Sequence, residues 1–519
     1  MPKTVSAAES LMKVLADTGI SVCFTNPGTT EIHLVAALET ETRIKGVLCL
    51  FEGVCSGAAD GFARMTGRPA ATLLHLGPGL ANAMANLHNA RRARSPVVNL
   101  VGDHPAAHRR NDPPLASDIA TLARPVSAWV SEATDAAGLP AECLAAVRAA
   151  LSPPGQVATL IIPTDCAWGN AEAPAVDWQP PEIPPASDST VATAAGMLRA
   201  DVPTALMIGG KALQQEGLRH AARIAARTGA TLLAPTFDAR FQRGAGIPMV
   251  RRLPYFPERV QKRLAGFGQL ILVGVPAPTA FFAYPDRSTD LLPPGCRVAA
   301  LAAPEEDGTA SLAALADALG AGGATPAEAP PLSRPELPEG PLSAETIGVA
   351  IGALLPEGAI VSDESGTSGE FAYRATGGTP PHDWLCLTGG SIGQGIPLAT
   401  GAALACPDRP VICLQGDGGA MYTLQALWTQ AREQLNITTV IFSNRKYQIL
   451  EVELWRLGFK TPGARTTDLM RLGRPEPDWV QLSQGMGVPA VRVETTAAFI
   501  TQFNKALAEP GPHLIEAVI

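Results

Sequence analysis

The nine cysteines, scattered from Cys23 to Cys413, include no CxxC pair and no Cys/His cluster. A disulfide framework and a structural zinc are therefore not expected, and the thiols read as small buried hydrophobes. Positive charge is not in excess either: 40 Lys and Arg face 48 Asp and Glu, for a net charge of −8. Composition thus gives no electrostatic case for binding nucleic acid or an anionic membrane surface. No stretch approaches membrane-spanning length without Gly, Pro or charge, and MPKTVSAAESLMKVLADTG at the start lacks the uninterrupted apolar core of a signal peptide. A cytoplasmic protein with small-molecule partners is expected. Short-period repeats are missing, which excludes a solenoid. So is a GxGxxG after the first strand, where Asn26-Pro27-Gly28 stands instead; a nucleotide-dependent oxidoreductase is disfavoured on that ground.

A length of 519 residues is too great for one core and suggests about three domains. Two proline-rich stretches, 172–189 and 322–343, read as linkers. They divide the chain into 1–171, 190–321 and 344–519.

The most informative stretch runs from Val411 to Asn444. Val411 to Leu414 is a short apolar run broken by Gly416-Asp417-Gly418-Gly419, the composition of a buried parallel strand and a turn. Leu424, Leu427, Trp428 and Ala431 then recur at helical spacing, and Thr438 to Phe442 restores a β-branched run. A parallel strand pair joined by a helix is implied, with Asp417 and Asn444 just past the two strands, at the edge where open α/β sheets bind ligands. Gly416, Gly418 and Gly419 let backbone amides approach an anion, and a hard cation held by few protein oxygens completes its shell with phosphate. A magnesium and diphosphate site is suggested, although an Asp-Gly pair alone is commonly a surface turn.

In the first segment, Ser6 with Glu9 forms a capping-box pattern, and Val22 to Thr25 reads as a strand. Asn26 to Glu31 turns into a helix beginning near Ile32, with Thr29 or Thr30 as its cap. A strand from Gly46 to Phe51 ends on Glu52, ahead of a helix from Cys55 to Arg64. Another, Ala71 to Leu76, carries His75 and leads into a Gly77-Pro78-Gly79 loop. Repeated βα units predict a doubly wound domain. In the second segment Gly209-Gly210 alone supplies no dinucleotide fingerprint, so a structural role is expected. The third brings a strand at Ala359 to Ser362, a polar loop Asp363 to Gly369, and a glycine-rich run from Gly389 to Pro397 that suggests close backbone approach to a ligand.

Taken together, Glu52, the Gly-Pro-Gly loop, Gly389 to Gly393 and the Asp417 to Asn444 pair resemble the acetolactate synthase and benzoylformate decarboxylase family of thiamine-diphosphate enzymes. The likeness is closest to the acetolactate-synthase-large-subunit-like branch, through Leu50 to Gly53, His75 to Gly79 and His88 to Arg94. It implies an α/β fold of three doubly wound parallel-sheet domains: pyrimidine-binding, middle and diphosphate-binding. Magnesium would be held by Asp417, Asn444 and the carbonyl of Lys446. The diphosphate would face Gly366, Thr367, Ser368, Gly416, Gly418 and Gly419, with Tyr447 nearby. Ile392 would be the wedge that bends the cofactor, beside Ser391, and the Gly390 carbonyl would receive its 4′-amino group.

The resemblance makes Glu52 of a partner subunit the acid on the pyrimidine ring, and His75 an acid/base group. A homodimer at least, and a homotetramer by expectation, follows. Thr29, Gln448, Ile449 and Glu453 would border the substrate pocket. The implied activity is decarboxylation of a 2-oxo acid with carboligation to an acceptor carbonyl. A nonoxidative decarboxylase releasing aldehyde and a catalytically silent cofactor-binding partner subunit are the alternatives. The middle segment lacks a flavin signature, so FAD is not assigned. The second histidine of the decarboxylases has no counterpart in Thr279 to Tyr284.

Overall fold

Runs such as Val97–Asp103 and Val157–Pro163 are buried along their whole length, as strands covered by helices on both faces must be. The computed structural model describes residues 5–174, 176–285, 287–323 and 329–519. Position 175 of the first proline-rich stretch and 324–328 of the second lie outside the described residues.

Three sheets result. The first contains β1 (Val22–Thr25), β2 (Lys45–Leu48), β3 (Ala70–Leu74), β4 (Val97–Asp103), β5 (Trp129–Glu132) and β6 (Val157–Pro163), all parallel, in the order β2-β1-β3-β4-β6-β5. The chain continues through β7 (Thr204–Ile208), β8 (Thr231–Ala234), β9 (Phe241–Arg243), β10 (Arg251–Arg252), β11 (Gln269–Val273) and β12 (Arg297–Ala302). All but β9 form a second parallel sheet, β10-β8-β7-β11-β12. The last strands are β13 (Ile360–Glu364), β14 (His382–Cys386), β15 (Val411–Gly416), β16 (Ile437–Ser443), β17 (Ala490–Val493) and β18 (His513–Val518), in the sheet β17-β18-β16-β15-β13-β14-β9.

Each sheet reverses its winding about its first parallel strand. From β1 the chain adds β2 on one side and β3 on the other; β7 is flanked in the same way by β8 and β11, and β13 by β14 and β15. A reversal of this kind opens a crevice at the carboxyl ends of the two diverging strands.

Several expected elements shift. The third sheet is not purely parallel, because β9 pairs antiparallel with β14 and covers what would otherwise be an open edge. The strand expected over Gly46 to Phe51 stops at Leu48, since Phe51 is already the extended cap of a helix running from Glu52 to Thr66. Gly77-Pro78-Gly79 is not a loop but the first turn of the Leu76–Ala93 helix. The helix after Asp417 is broken: Asp417–Ala420 and Ala426–Arg432 are separated where the Thr423 hydroxyl donates to the Gly393 carbonyl. Neither Thr29 nor Thr30 caps the Ile32 helix; the Glu31 carboxylate accepts the Gly28 N–H instead.

The first and third sheets are joined by the Glu52–Thr66 helix lying against the helix Gly395–Ala405. Their backbones touch: a Cβ at Gly61 would sit 2.1 Å from the Leu398 carbonyl oxygen, and one at Gly401 1.9 Å from that of Ala58. Arg64 closes the junction. Its guanidinium pairs with Asp60 and donates to the carbonyls of Ala239, 3.2 Å away between β8 and β9, and Cys386, 2.7 Å away in β14, so one side chain ties the first sheet's helix to the middle segment and the third sheet.

Candidate active site

Four glycine- or polar-rich segments collect at one edge of the third sheet because the strands that carry them are neighbours. Residues 366–368 follow β13, 389–393 follow β14, 417–419 follow β15 and 444–447 follow β16. Parallel register puts Glu364 beside Gln415 and Gly416 beside Phe442, so the turns start level.

Asp417 is buried there. Its Oδ1 accepts the Gly418 N–H at 2.8 Å and its Oδ2 the Arg445 N–H at 2.6 Å, while burial pushes its carboxyl up to about 6. Arg445 sits at φ +57°, a left-handed conformation that turns the chain sharply where its N–H meets Asp417. Asn444 Oδ1 accepts the Lys446 N–H at 3.1 Å, and its Nδ2 donates to Gln448 Oε1 at 3.3 Å. A carboxylate, a side-chain amide oxygen and the Lys446 carbonyl could supply an all-oxygen donor set to a hard cation that retains phosphate or water ligands. A bound cation would also offset the cost of burying the Asp417 charge. No cluster of three or more His, Cys, Asp or Glu poised for a metal exists among the described residues.

The glycines fit an anion cradle. A Cβ at Gly418 would meet Tyr447 Cε1 at 2.4 Å, and one at Gly419 would meet Glu364 Oε1 at 2.5 Å. Gly366 has φ +58° and begins the short turn to Ser368; Thr367 is exposed and Ser368 buried. Glu364 itself was not anticipated. Buried behind the turns, it accepts the N–H groups of Gly393 at 2.6 Å and Gly395 at 2.5 Å, and burial pushes its carboxyl up to about 7.

Gly390 is exposed, Ser391 and Ile392 are half-buried, and the Phe281 ring lies against Gly390, where a Cβ would be 2.5 Å from its Cζ. Gln448 is occupied by Asn444, and Ile449 is half-buried. Glu453 neither lies free in solvent nor stands as an isolated charge: Tyr284 donates its hydroxyl to Oε1 at 3.0 Å and Arg456 lies 3.6 Å away.

Glu52 and His75 gather at the crevice of the first sheet. Glu52 is buried at the start of its helix and accepts the Asn82 side-chain N–H at 3.0 Å. Gly79 separates it from His75: a Cβ there would lie 3.1 Å from Glu52 Oε1 and 3.4 Å from His75 Cβ. His75 Nδ1 is 2.7 Å from Oε2 of Glu31, which is fully buried, and 3.3 Å from the Thr30 hydroxyl. Thr29 is exposed, so the hydroxyl that reaches His75 belongs to Thr30. Leu76, immediately after His75, is buried at φ +50°, strain that only a well-packed site sustains.

Among the described residues neither Glu52 nor His75 hydrogen-bonds to any of the four third-sheet segments. Glu31 and Asn82 escaped the sequence reading; a Gly with Glu three residues on was the available signal for the first.

The middle sheet's crevice holds a cavity of about 360 Å³ lined by Arg94, Gly210, Asp238, Gly274, Phe281 and Thr388 among others. Asp238 accepts the Gly210 N–H at 3.2 Å, taking the donor that a nucleotide phosphate would need.

Residues 5–122 match the thiamine pyrophosphate enzyme N-terminal TPP binding domain, and 364–517 match the C-terminal TPP binding domain. Over 99% of its length the chain is 50% identical to 99% of a Mycobacterium tuberculosis H37Rv protein provisionally named acetolactate synthase large subunit IlvX. Benzoylformate decarboxylase of Pseudomonas aeruginosa PAO1 is 28% identical, with 99% of this chain and 98% of that protein covered. Among solved structures, the Rhodococcus jostii RHA1 thiamine diphosphate-dependent 4-hydroxybenzoylformate decarboxylase superposes with a TM-score of 0.86 at 26% identity, covering 99% of this chain and 98% of that one.

Proposed function

The chain belongs to the thiamine pyrophosphate enzymes, in the acetolactate synthase and benzoylformate decarboxylase family, and from that premise we propose that it decarboxylates a 2-oxo acid and passes the acyl unit to an acceptor carbonyl. The observation that carries the reading is the 2.6 Å hydrogen bond from Arg445 N–H to Asp417, which draws the Asn444 to Lys446 turn onto the glycine turn of β15. Asp417, Asn444 and the Lys446 carbonyl would hold magnesium. Gly366, Thr367, Ser368, Gly416, Gly418 and Gly419 would offer backbone and hydroxyl donors to a diphosphate, with Tyr447 closing over Gly418. When bound, thiamine diphosphate supplies the electron sink for loss of carbon dioxide.

Everything else falls to the chain's own residues. Glu52 would hold a proton at the pyrimidine nitrogen, a task for a group that can exchange a proton and not for an amide. His75, oriented through Nδ1 by Glu31, would take or give a proton at Nε2. Gly390, Ser391 and Ile392 would fix the cofactor's bend, while Thr29, Gln448, Ile449 and Glu453 would border the substrate. Among the described residues neither Glu52 nor His75 hydrogen-bonds to the Asp417 turn of its own chain, and on that ground the active site would be completed by a second copy, giving a homodimer at least and a homotetramer by pairing. FAD is not part of the proposal.

Among the described residues no helix is long and apolar enough to cross a membrane. The nine free cysteines, seven of them buried, suit a reducing compartment, and we place the protein in the cytoplasm.

A nonoxidative decarboxylase is the second reading, supported by the likeness to benzoylformate decarboxylases. Incubating the protein with thiamine diphosphate, magnesium and pyruvate or benzoylformate, then separating acetolactate from free aldehyde, distinguishes the two. Consumption of neither acid, with intact cofactor binding, would favour a silent partner subunit.

A further inference from the structure

Three residues on one helix of the first domain govern the shape of the segment expected to bend the cofactor. Asn89, completely buried, brackets Ser391 from both sides: its Nδ2 donates to the Ser391 carbonyl at 2.8 Å and its Oδ1 accepts the Ser391 N–H at 3.2 Å. Asn86 Nδ2 donates to the Gly393 carbonyl at 3.1 Å and also to that of Gly53 at 2.8 Å. His88 Nε2 lies 3.1 Å from the Gly389 carbonyl. The two amides support each other, Asn89 Nδ2 donating to Asn86 Oδ1 at 3.0 Å. Behind them, the Thr388 hydroxyl donates to the Asn89 carbonyl and accepts from Arg64.

The pattern alternates. Carbonyls 389, 391 and 393 are tied to the first domain, whereas among the described residues no donor is hydrogen-bonded to the carbonyl of Gly390. The Gly390 carbonyl, on an exposed residue, is thereby left available to a ligand donor. Two of the five residues, Gly390 at φ +75° and Gly393 at φ +96°, occupy left-handed conformations that glycine adopts readily and other residues do not. A Cβ at Gly389 would lie 2.4 Å from Asn89 Oδ1, so the glycine there exists for the bracket.

We infer that Asn89, assisted by Asn86 and His88, is a positioning residue for the cofactor: the protomer's own first domain sets the backbone of 389–393 against which the aminopyrimidine would rest. The inference depends on the thiamine-diphosphate reading above. It also gives the helix two duties, since Asn82, one turn before Asn86, holds the carboxylate of Glu52.

The alternative is that these bonds merely glue two domains together. Calorimetric titration of metal-stripped full-length protein with thiamine diphosphate and magnesium, accompanied by near-ultraviolet circular dichroism of the bound aminopyrimidine, separates the two. The glue control is Arg240→Ala, which breaks interdomain bonds to Asp383 and to the Arg64 and Met65 carbonyls without touching 389–393. We expect Asn89→Ala to weaken cofactor binding at least tenfold and to change the dichroism. Its melting temperature before loading should fall no further than that of Arg240→Ala, which should bind the cofactor as wild type does. Wild-type affinity and dichroism in Asn89→Ala would overturn the inference. So would equal losses of affinity in both variants. If Asn89→Ala does not fold, His88→Ala, from a half-buried site, carries the same comparison. Wild-type protein that binds no thiamine diphosphate would instead overturn the underlying function, and with it this role.

Discussion

Half-buried His75 pairs with fully buried Glu31, Nδ1 to Oε2 at 2.7 Å, and the carboxylate also accepts the Gly28 N–H at 3.0 Å. A carboxylate oxygen only accepts, so the imidazole donates from Nδ1 and leaves Nε2 to exchange protons. Glu31→Gln should lower kcat by about two orders of magnitude, because an amide can present N–H to Nδ1 and reverse the tautomer. Thiamine diphosphate affinity, measured by calorimetry, should hardly move; a parallel loss of binding would mean that Glu31 serves only to build the crevice.

Gly28 offers a steric counterpart. Its backbone, at φ −118° and ψ −171°, is open to any residue, yet a Cβ would lie 2.0 Å from His75 Nδ1. Gly28→Ala should therefore push the imidazole off Glu31 and cut turnover about 10- to 100-fold, while unfolding free energy changes by about 1 kcal/mol. Turnover close to wild type would show that the ring can shift without penalty.

Glu364 predicts a pH dependence of stability. Burial raises its carboxyl from 4.5 to about 7, so between those values the folded state binds the extra proton. The associated stability is fully present below about 4.5 and is lost as pH rises through about 7, an effect of up to about 3 kcal/mol. Melting curves of cofactor-stripped protein should fall across this window, and Glu364→Gln should flatten the fall. A Glu364-dependent rise with pH would mean that the N–H donors of Gly393 and Gly395 outweigh desolvation.

Asp60 and Arg64 are buried to 1% exposure or less, and Asp60 further accepts from Ser95 and from Gln394. Arg64→Leu should cost about 3–5 kcal/mol by stranding the carboxylate. Adding Asp60→Asn should recover part of that in a double-mutant cycle of denaturant unfolding. Strict additivity would show that the two side chains act independently.

What was legible in the sequence follows a physical rule. Asp417, Asn444 and His75 could be placed because each directly follows a strand, and a strand's end is a property of the local chain; Glu52 instead opens a helix, with three residues between it and its strand. Glu31 is 44 residues from the histidine it orients, and Asn89 is 302 from the Ser391 carbonyl it holds; such pairings are made by packing and leave no periodic trace. Gly77-Pro78-Gly79 misled for the converse reason. Its composition is that of a turn, but proline suits the first turn of a helix, and the glycines are needed there for approach to Ser117, Glu52 and His75. The broken helix after Asp417 depended on Thr423 meeting Gly393, again a distant partner.

Arg64 finally bears on how the protein is made. Its partners at Ala239 and Cys386 lie 175 and 322 residues downstream, so at about 5–20 residues per second the last of them leaves the ribosome roughly 15–65 s after the arginine. Throughout that interval the first domain carries an ion pair and a glycine-lined helix face, Gly57 and Gly61, whose lid does not yet exist. The nascent chain thus carries this face uncovered until the Gly395–Ala405 helix is made, and its demand for chaperones should fall at that point.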